Sequence, residues 1–318
     1  MKEEVDNIPY LLDDFLNYLL SIKGKSKNTV YGYKTDLALF FKYLKFRQNR
    51  NIPFEEVNIQ NIDIDFIKNI KLSDMYSFIG FLEQKRNNGN YAKARKVAAI
   101  KSFYKYLYKK IKLIDENIAE NLESPKISKR NPMYLSLDES KNLLNSIEGK
   151  FYERDLCMVT LFLNCGMRLS ELCGINISNI KDDTLTVIGK GDKERTVYLN
   201  NSCLKILSIY LQKRKSIQTK IVEDSKDALF ISKNYCRIDK RNVERIIKKY
   251  VIKAGLNSKL SPHKLRHTAA TLMYKYGDVD IRSLQQILGH ENVSTTQIYT
   301  HVDDEKLREA VSLNPLNI

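Results

Sequence analysis

A chain of 318 residues is long enough for two domains of ordinary size, each able to bury a core without disulfides or metals. Its 53 Lys and Arg against 38 Asp and Glu leave a formal net charge of +15, an excess that favours a polyanionic partner. No apolar run approaches the roughly 18 residues of a membrane-spanning helix, and the opening Met1-Lys2-Glu3-Glu4-Val5-Asp6-Asn7 is too acidic for a secretory signal, so a cytoplasmic protein with no membrane partner is expected.

Along the chain, the first hundred-odd residues read as helices. From Ile8 to Ile22, Leu11, Leu12, Phe15, Leu16 and Leu19 recur at three-to-four spacing until the basic, flexible stretch Lys23–Asn28 breaks the pattern. A second helix follows with Val30, Tyr33, Leu37, Phe40 or Phe41, and Leu44 in its stripe, and with Asn28 or Thr29 as its cap. A third is expected over about 73–86 and a fourth over about 90–110. The fourth has an unusual composition: from Asn88 to Lys112 there are eight basic residues, four tyrosines and no acid. A face solvated for solubility alone usually mixes signs, so Lys93, Arg95, Lys96, Lys101 and Lys105 are expected to form a nucleic-acid-facing surface, with Ala94, Val97, Ala98, Tyr104 and Leu107 turned inward.

From residue 119 to 133 the composition turns polar and proline-containing, which reads as a linker between a helical domain over 1–118 and a second domain over 134–318. That second domain opens with helices from Leu137 to Ile147 and from Asp155 to Asn164. Between Leu185 and Leu199 the periodicity switches to two, giving a β-hairpin with Gly189-Lys190-Gly191-Asp192-Lys193 at its tip. Helices resume over about 201–215, 240–254, 263–276 and 281–288. The fold class is therefore mainly α with a small β-hairpin or sheet in the second domain. The five cysteines are odd in number and include no C-x-x-C pair, so free thiols are expected, with neither a disulfide framework nor structural zinc.

Four segments of the second half place polar residues where an ordinary fold would not need them. Arg168 follows Gly166 in Cys165-Gly166-Met167-Arg168-Leu169-Ser170-Glu171-Leu172. Lys190 occupies the hairpin tip. His263 and Arg266 lie one turn apart in Ser261-Pro262-His263-Lys264-Leu265-Arg266-His267, and Leu288-Gly289-His290 precedes Tyr299 by nine residues at its histidine. Two arginines, a lysine, two histidines and a tyrosine are the parts needed to break a phosphodiester without metal. Guanidinium forks hold the negative charge that builds on the non-bridging oxygens. A phenol attacks only after losing a proton, its free pKa being about 10, and the departing 5′ oxygen needs an acid. His263 and His267 stand at i and i+4, but no glutamate lies between them and no third ligand is near, so zinc is not expected there.

Together, G-x-R-x-S-E-L, G-K-G-x-K-E-R, H-x-L-R-H and L-G-H-x-x-x-x-T-T-x-x-Y-T-H resemble the motifs of the tyrosine recombinases, or phage integrase family, and of its Xer-like members in particular, over roughly residues 134–305. That resemblance implies a core-DNA-binding first domain and a recombinase catalytic domain. In it Arg168 and Arg266 clamp the phosphate, Tyr299 is the nucleophile, His263 and His290 handle protons and hydrogen-bond the phosphate, and Glu171 orients Arg168. Lys190 becomes the general acid, with Lys193 as its competitor, while His267 and His301 are read as packing or helix-end residues. It further implies double-stranded DNA as partner, no cofactor or metal, a 3′-phosphotyrosyl intermediate, and a short C-terminal helix joining protomers into a tetramer on two DNA sites, or a paired recombinase. A type IB-like topoisomerase and a catalytically silent DNA-binding protein are the alternatives.

Overall fold

The computed structural model describes residues 8–127, 133–189, 193–277, 279–289 and 296. The chain divides into two units, residues 1–129 and 130–318. In the first, α1 (Tyr10–Asn17) buries Leu11, Leu12, Phe15 and Leu16 and runs on through a π-helical turn over Tyr18–Ile22. Helix α2 (Lys27–Gln48) begins two residues earlier than a cap at Asn28 would give, because Ser26, rather than Asn28 or Thr29, accepts the backbone N–H of Thr29 as N-cap. A short α3 (Ile64–Lys68), not foreseen, is capped by Asp63, and α4 (Leu72–Gln84) and α5 (Asn90–Lys109) complete the unit. Its core is aromatic: Phe103 meets Phe15 and Phe41 edge-on at centroid distances of 5.4 and 5.6 Å.

Helix α5 differs from its expected orientation. The inward face carries Val97, Ala99, Ile100, Phe103, Tyr104 and Leu107, with Ala98 exposed. Lys93 and Lys96, expected on the nucleic-acid-facing side, are buried on that inward face. Partners on neighbouring helices make this possible, since Lys93 Nζ lies 3.0 Å from Glu83 Oε2 and Lys96 Nζ lies 3.3 Å from the buried carboxylate of Asp36. Arg95 reaches the same Asp36 at 2.9 Å with half its side chain exposed, Lys101 Nζ donates to the carbonyl of Glu120 at 3.1 Å, and Lys105 is exposed.

The second unit starts with α6 (Leu137–Asn145), whose Ser136 and Glu139 form a reciprocal capping box. The apolar α7 (Tyr152–Cys165) lies at the centre, packed on by α9 (Asn201–Lys215) and α11 (Pro262–Tyr276). Between α8 (Leu169–Gly174) and α9 the hairpin forms as β2 (Thr184–Ile188) and β3 (Glu194–Tyr198), and a two-residue β1 (Ile180–Lys181) makes it a three-stranded antiparallel sheet in the order β1-β2-β3. The register sets Leu185 opposite Val197 and Val187 opposite Arg195. Because side chains alternate, these four share one face, and Leu185, Val187 and Val197 are buried in the core. Helices α10 (Lys240–Lys253) and α12 (Ile281–Leu288) complete the described elements.

Candidate active site

Gly166 stops α7 in the left-handed conformation at φ 58°, which turns the chain and sets Arg168 at the N-cap of α8. Three residues on, Glu171 folds back. Its carboxylate accepts the backbone N–H of Arg168 at 2.7 Å and the Arg168 guanidinium at 2.7 Å. Ser261 and Pro262 open α11, a proline at the first turn costing no hydrogen bond, and one turn later Arg266 is buried at 3% exposure. Arg266 donates through Nη1 to the carbonyl of Gly166 and through Nη2 to that of Leu288, both at 2.6 Å. Gly289 ends α12, again left-handed at φ 63°, and its carbonyl accepts Arg168 Nη2 at 2.6 Å.

A third arginine enters from the sheet. Arg195 donates Nη1 to the carbonyl of Ile287 at 2.5 Å, and its Nη2 and Nε reach Glu171 at 2.8 and 3.3 Å. The consecutive carbonyls of Ile287, Leu288 and Gly289 are thus each taken by an arginine from a different element. At their centre Glu171 has a fully buried side chain and meets Arg168, Arg195 and, at 3.9 Å, Arg266. Burial works against its ionisation, but hydrogen bonds and charge from Arg195 and Arg168 prevail and hold the carboxyl below the usual range.

His263 stands at the mouth of this cluster. Its Nε2 is 3.1 Å from Nε2 of His267, the two rings meeting edge-on with centroids 4.5 Å apart. Desolvation, followed by the charges of Arg266, Lys264 and Arg168, holds its pKa below the ordinary imidazole value. Such a ring is neutral near pH 7 and able to accept a proton. Arg168, Ser170, His263 and Arg266 line one open cleft of about 470 Å³ together with Lys240 and Glu244 at the start of α10.

Of the residues singled out in the sequence, the structure brings together Arg168, Glu171, His263 and Arg266. Lys190, His290, Tyr299 and His301 lie outside the described residues, as does the C-terminal helix. Lys190 and His290 follow directly on Gly189 and Gly289. Gly189 donates its N–H to the carbonyl of Lys193 at 2.7 Å, and Lys193 is exposed. Arg195, the last residue of the G-K-G-x-K-E-R motif, and Lys240 have no role assigned by the sequence alone. The signal for Arg195 was its parity: two residues before the core residue Val197, it had to point the same way.

The Phage integrase family profile matches residues 133–306, and the profile for its N-terminal SAM-like domain matches 12–110. Over 313 residues the chain is 54% identical to Tyrosine recombinase XerC of Caldanaerobacter subterraneus subsp. tengcongensis, covering 97% of this chain and 88% of that protein. The chain belongs to the phage integrase family, with its Xer-like tyrosine recombinases. Tyrosine recombinase XerC of Thermodesulfovibrio yellowstonii is 34% identical across 95% of both chains. In fold, the chain is similar to the XerH site-specific recombinase in a post-cleavage complex with palindromic difH substrate, with a TM-score of 0.71, 23% identity, and coverage of 95% of this chain and 84% of that one. These matches favour site-specific recombination and do not favour the topoisomerase or the silent DNA-binding alternative.

Proposed function

We propose that this chain is a site-specific DNA recombinase in which Tyr299 cuts one strand of double-stranded DNA and a strand from a second duplex rejoins to it, without metal or ATP. The observation that carries this reading is the convergence of Arg168 and Arg266 with His263 on one cleft, their guanidinium groups fixed by Glu171 and by the carbonyls just before His290. Two always-charged forks at one site suit a phosphodiester acquiring negative charge at phosphorus. In the proposed reaction the Tyr299 oxygen attacks phosphorus, giving its proton to the His263–His290 pair. The bond from phosphorus to the 5′ oxygen breaks, Lys190 protonates that oxygen, and a 3′-phosphotyrosine remains. Attack by a 5′ hydroxyl of the partner duplex reverses each step and conserves the bond, so no ATP is consumed.

For the first domain, proposed over residues 1–118, the exposed Lys105 and half-exposed Arg95, with Lys101, supply the DNA-contacting charge, while Lys93 and Lys96 keep their buried side chains in ion pairs with Glu83 and Asp36. The linker over 119–133 and the catalytic domain over 134–318 follow. Within the latter, the helix after Tyr299 is proposed to join protomers into a tetramer on two sites, or to engage a paired recombinase. Action on DNA without any helix among the described residues long and apolar enough to cross a membrane fits a cytoplasmic place of work.

Incubation with a nicked suicide duplex tests the reading. The expected result is a protein band shifted by covalent DNA in a denaturing gel, absent for Tyr299→Phe and unchanged by a chelator. No shifted band with the wild-type protein on DNA that it binds specifically, or a band that needs added divalent ion, would overturn it.

A further inference from the structure

Arg195 lies on the buried face of β3, where Val187 and Val197 make the environment apolar and a charge is costly. It is held there by contacts to two different elements at once: the Glu171 carboxylate of α8 and the Ile287 carbonyl in the last turn of α12. A planar guanidinium can serve both, whereas a lysine ammonium is a point charge. Two glycines mark how closely the backbone is drawn to this cluster. A Cβ at Gly289 would lie 2.7 Å from Arg195 Cδ, so the arginine stem passes across that glycine, and a Cβ at Gly189 would lie 3.7 Å from Glu171 Oε1 and 3.8 Å from Arg168 Nη1. In sequence, Gly189 immediately precedes Lys190, and Gly289 immediately precedes His290.

We infer that Arg195 is a positioning residue of the strand-cutting centre: it fixes Glu171, and through it Arg168, while tying the hairpin that leads to Lys190 to the helix end that leads to His290. The inference rests on the recombinase reading. Arg195 is assigned no contact with phosphate or nucleophile, its guanidinium being taken up by Glu171 and Ile287. It acts by setting the places from which three other side chains meet one phosphate.

The charged groups facing Glu171 among the described residues are Arg168 from the start of α8, Arg195 from β3 and Arg266 from α11. Removing Arg195 withdraws the foremost influence opposing burial, so the Glu171 carboxyl binds its proton at higher pH and releases Arg168 there. The acid limb of the cleavage profile then moves to higher pH, a change that a loss of folded protein equal at every pH does not produce.

The test measures covalent adduct formation on the suicide duplex at saturating DNA, across pH, for the wild type, Arg195→Ala and Arg195→Lys, beside DNA affinity. Arg195→Ala is expected to form adduct about 100-fold more slowly, the order seen for small misplacements of reacting groups, with affinity within about threefold and the acid limb displaced upward. Arg195→Lys keeps the charge but not the double contact. Its rate is expected between the other two, with a smaller displacement of the limb, and it decides the matter if the alanine variant does not fold. Wild-type rate and profile in the lysine variant, or a loss in the alanine variant explained wholly by weaker DNA binding, would overturn the inference and leave the recombinase reading standing. Absence of adduct in the wild type would instead remove the recombinase reading itself.

Discussion

Glu171 is the residue on which the cluster turns, because one buried carboxylate neutralises arginines arriving from two other points of the fold. Replacing it by alanine leaves Arg168 and Arg195 without their shared anion, and a loss of about 3–5 kcal/mol in unfolding free energy is expected from denaturant titration. The carboxyl is depressed in the folded state, so its stabilising contribution is full above the unfolded carboxyl value and is lost as pH falls through the folded one. Wild type and Glu171→Gln are therefore expected to differ most near neutral pH and to converge as pH falls past the free carboxyl value and through the depressed folded one; a difference constant with pH would contradict the assigned ionisation. Arg168→Ala and Arg266→Ala are each expected to slow adduct formation by at least about 100-fold while DNA affinity changes only a few-fold. Equal losses in both measurements would make them simple DNA anchors.

At the scale of elements, the site depends on where helices stop. Gly166 and Gly289 both take the left-handed conformation, and a Cβ at Gly166 would fall 2.8 Å from Leu288 Cδ2 while one at Gly289 would meet the Arg195 stem. Backbone strain alone makes Gly166→Ala and Gly289→Ala cost roughly 1–2 kcal/mol each, to be read as a lowered denaturant midpoint with unchanged slope. A neutral effect at both would show that these turns relax freely. The long helices were legible because their apolar residues repeat every three to four positions, and the hairpin because its period is two. Strand β1 was not, since two residues carry no periodicity. The inward placement of Lys93 and Lys96 was hidden for another reason: the acids that receive them, Glu83 and Asp36, belong to other helices, and only tertiary packing brings them within 3.0 and 3.3 Å. The site motifs could be read because each is contiguous. The joint grip of Arg168, Arg195 and Arg266 on one helix end could not, because it exists only when three elements meet.

For the molecule as a whole, the charge excess is expected to act through a limited set of side chains. If Lys101 and Lys105 lie on phosphates, removing both charges should lower the slope of log affinity against log salt by about 0.9 per contact; an unchanged slope would assign that helix face to solvent. The most direct test of the central claim, that Arg168, Arg266 and His263 serve a phosphodiester attacked by Tyr299, is to digest the trapped protein–DNA adduct and locate the attached residue by mass spectrometry. The expected peptide carries a nucleotide 3′ phosphate on the Tyr299 oxygen. Attachment to any other side chain, or through a 5′ phosphate, would contradict it.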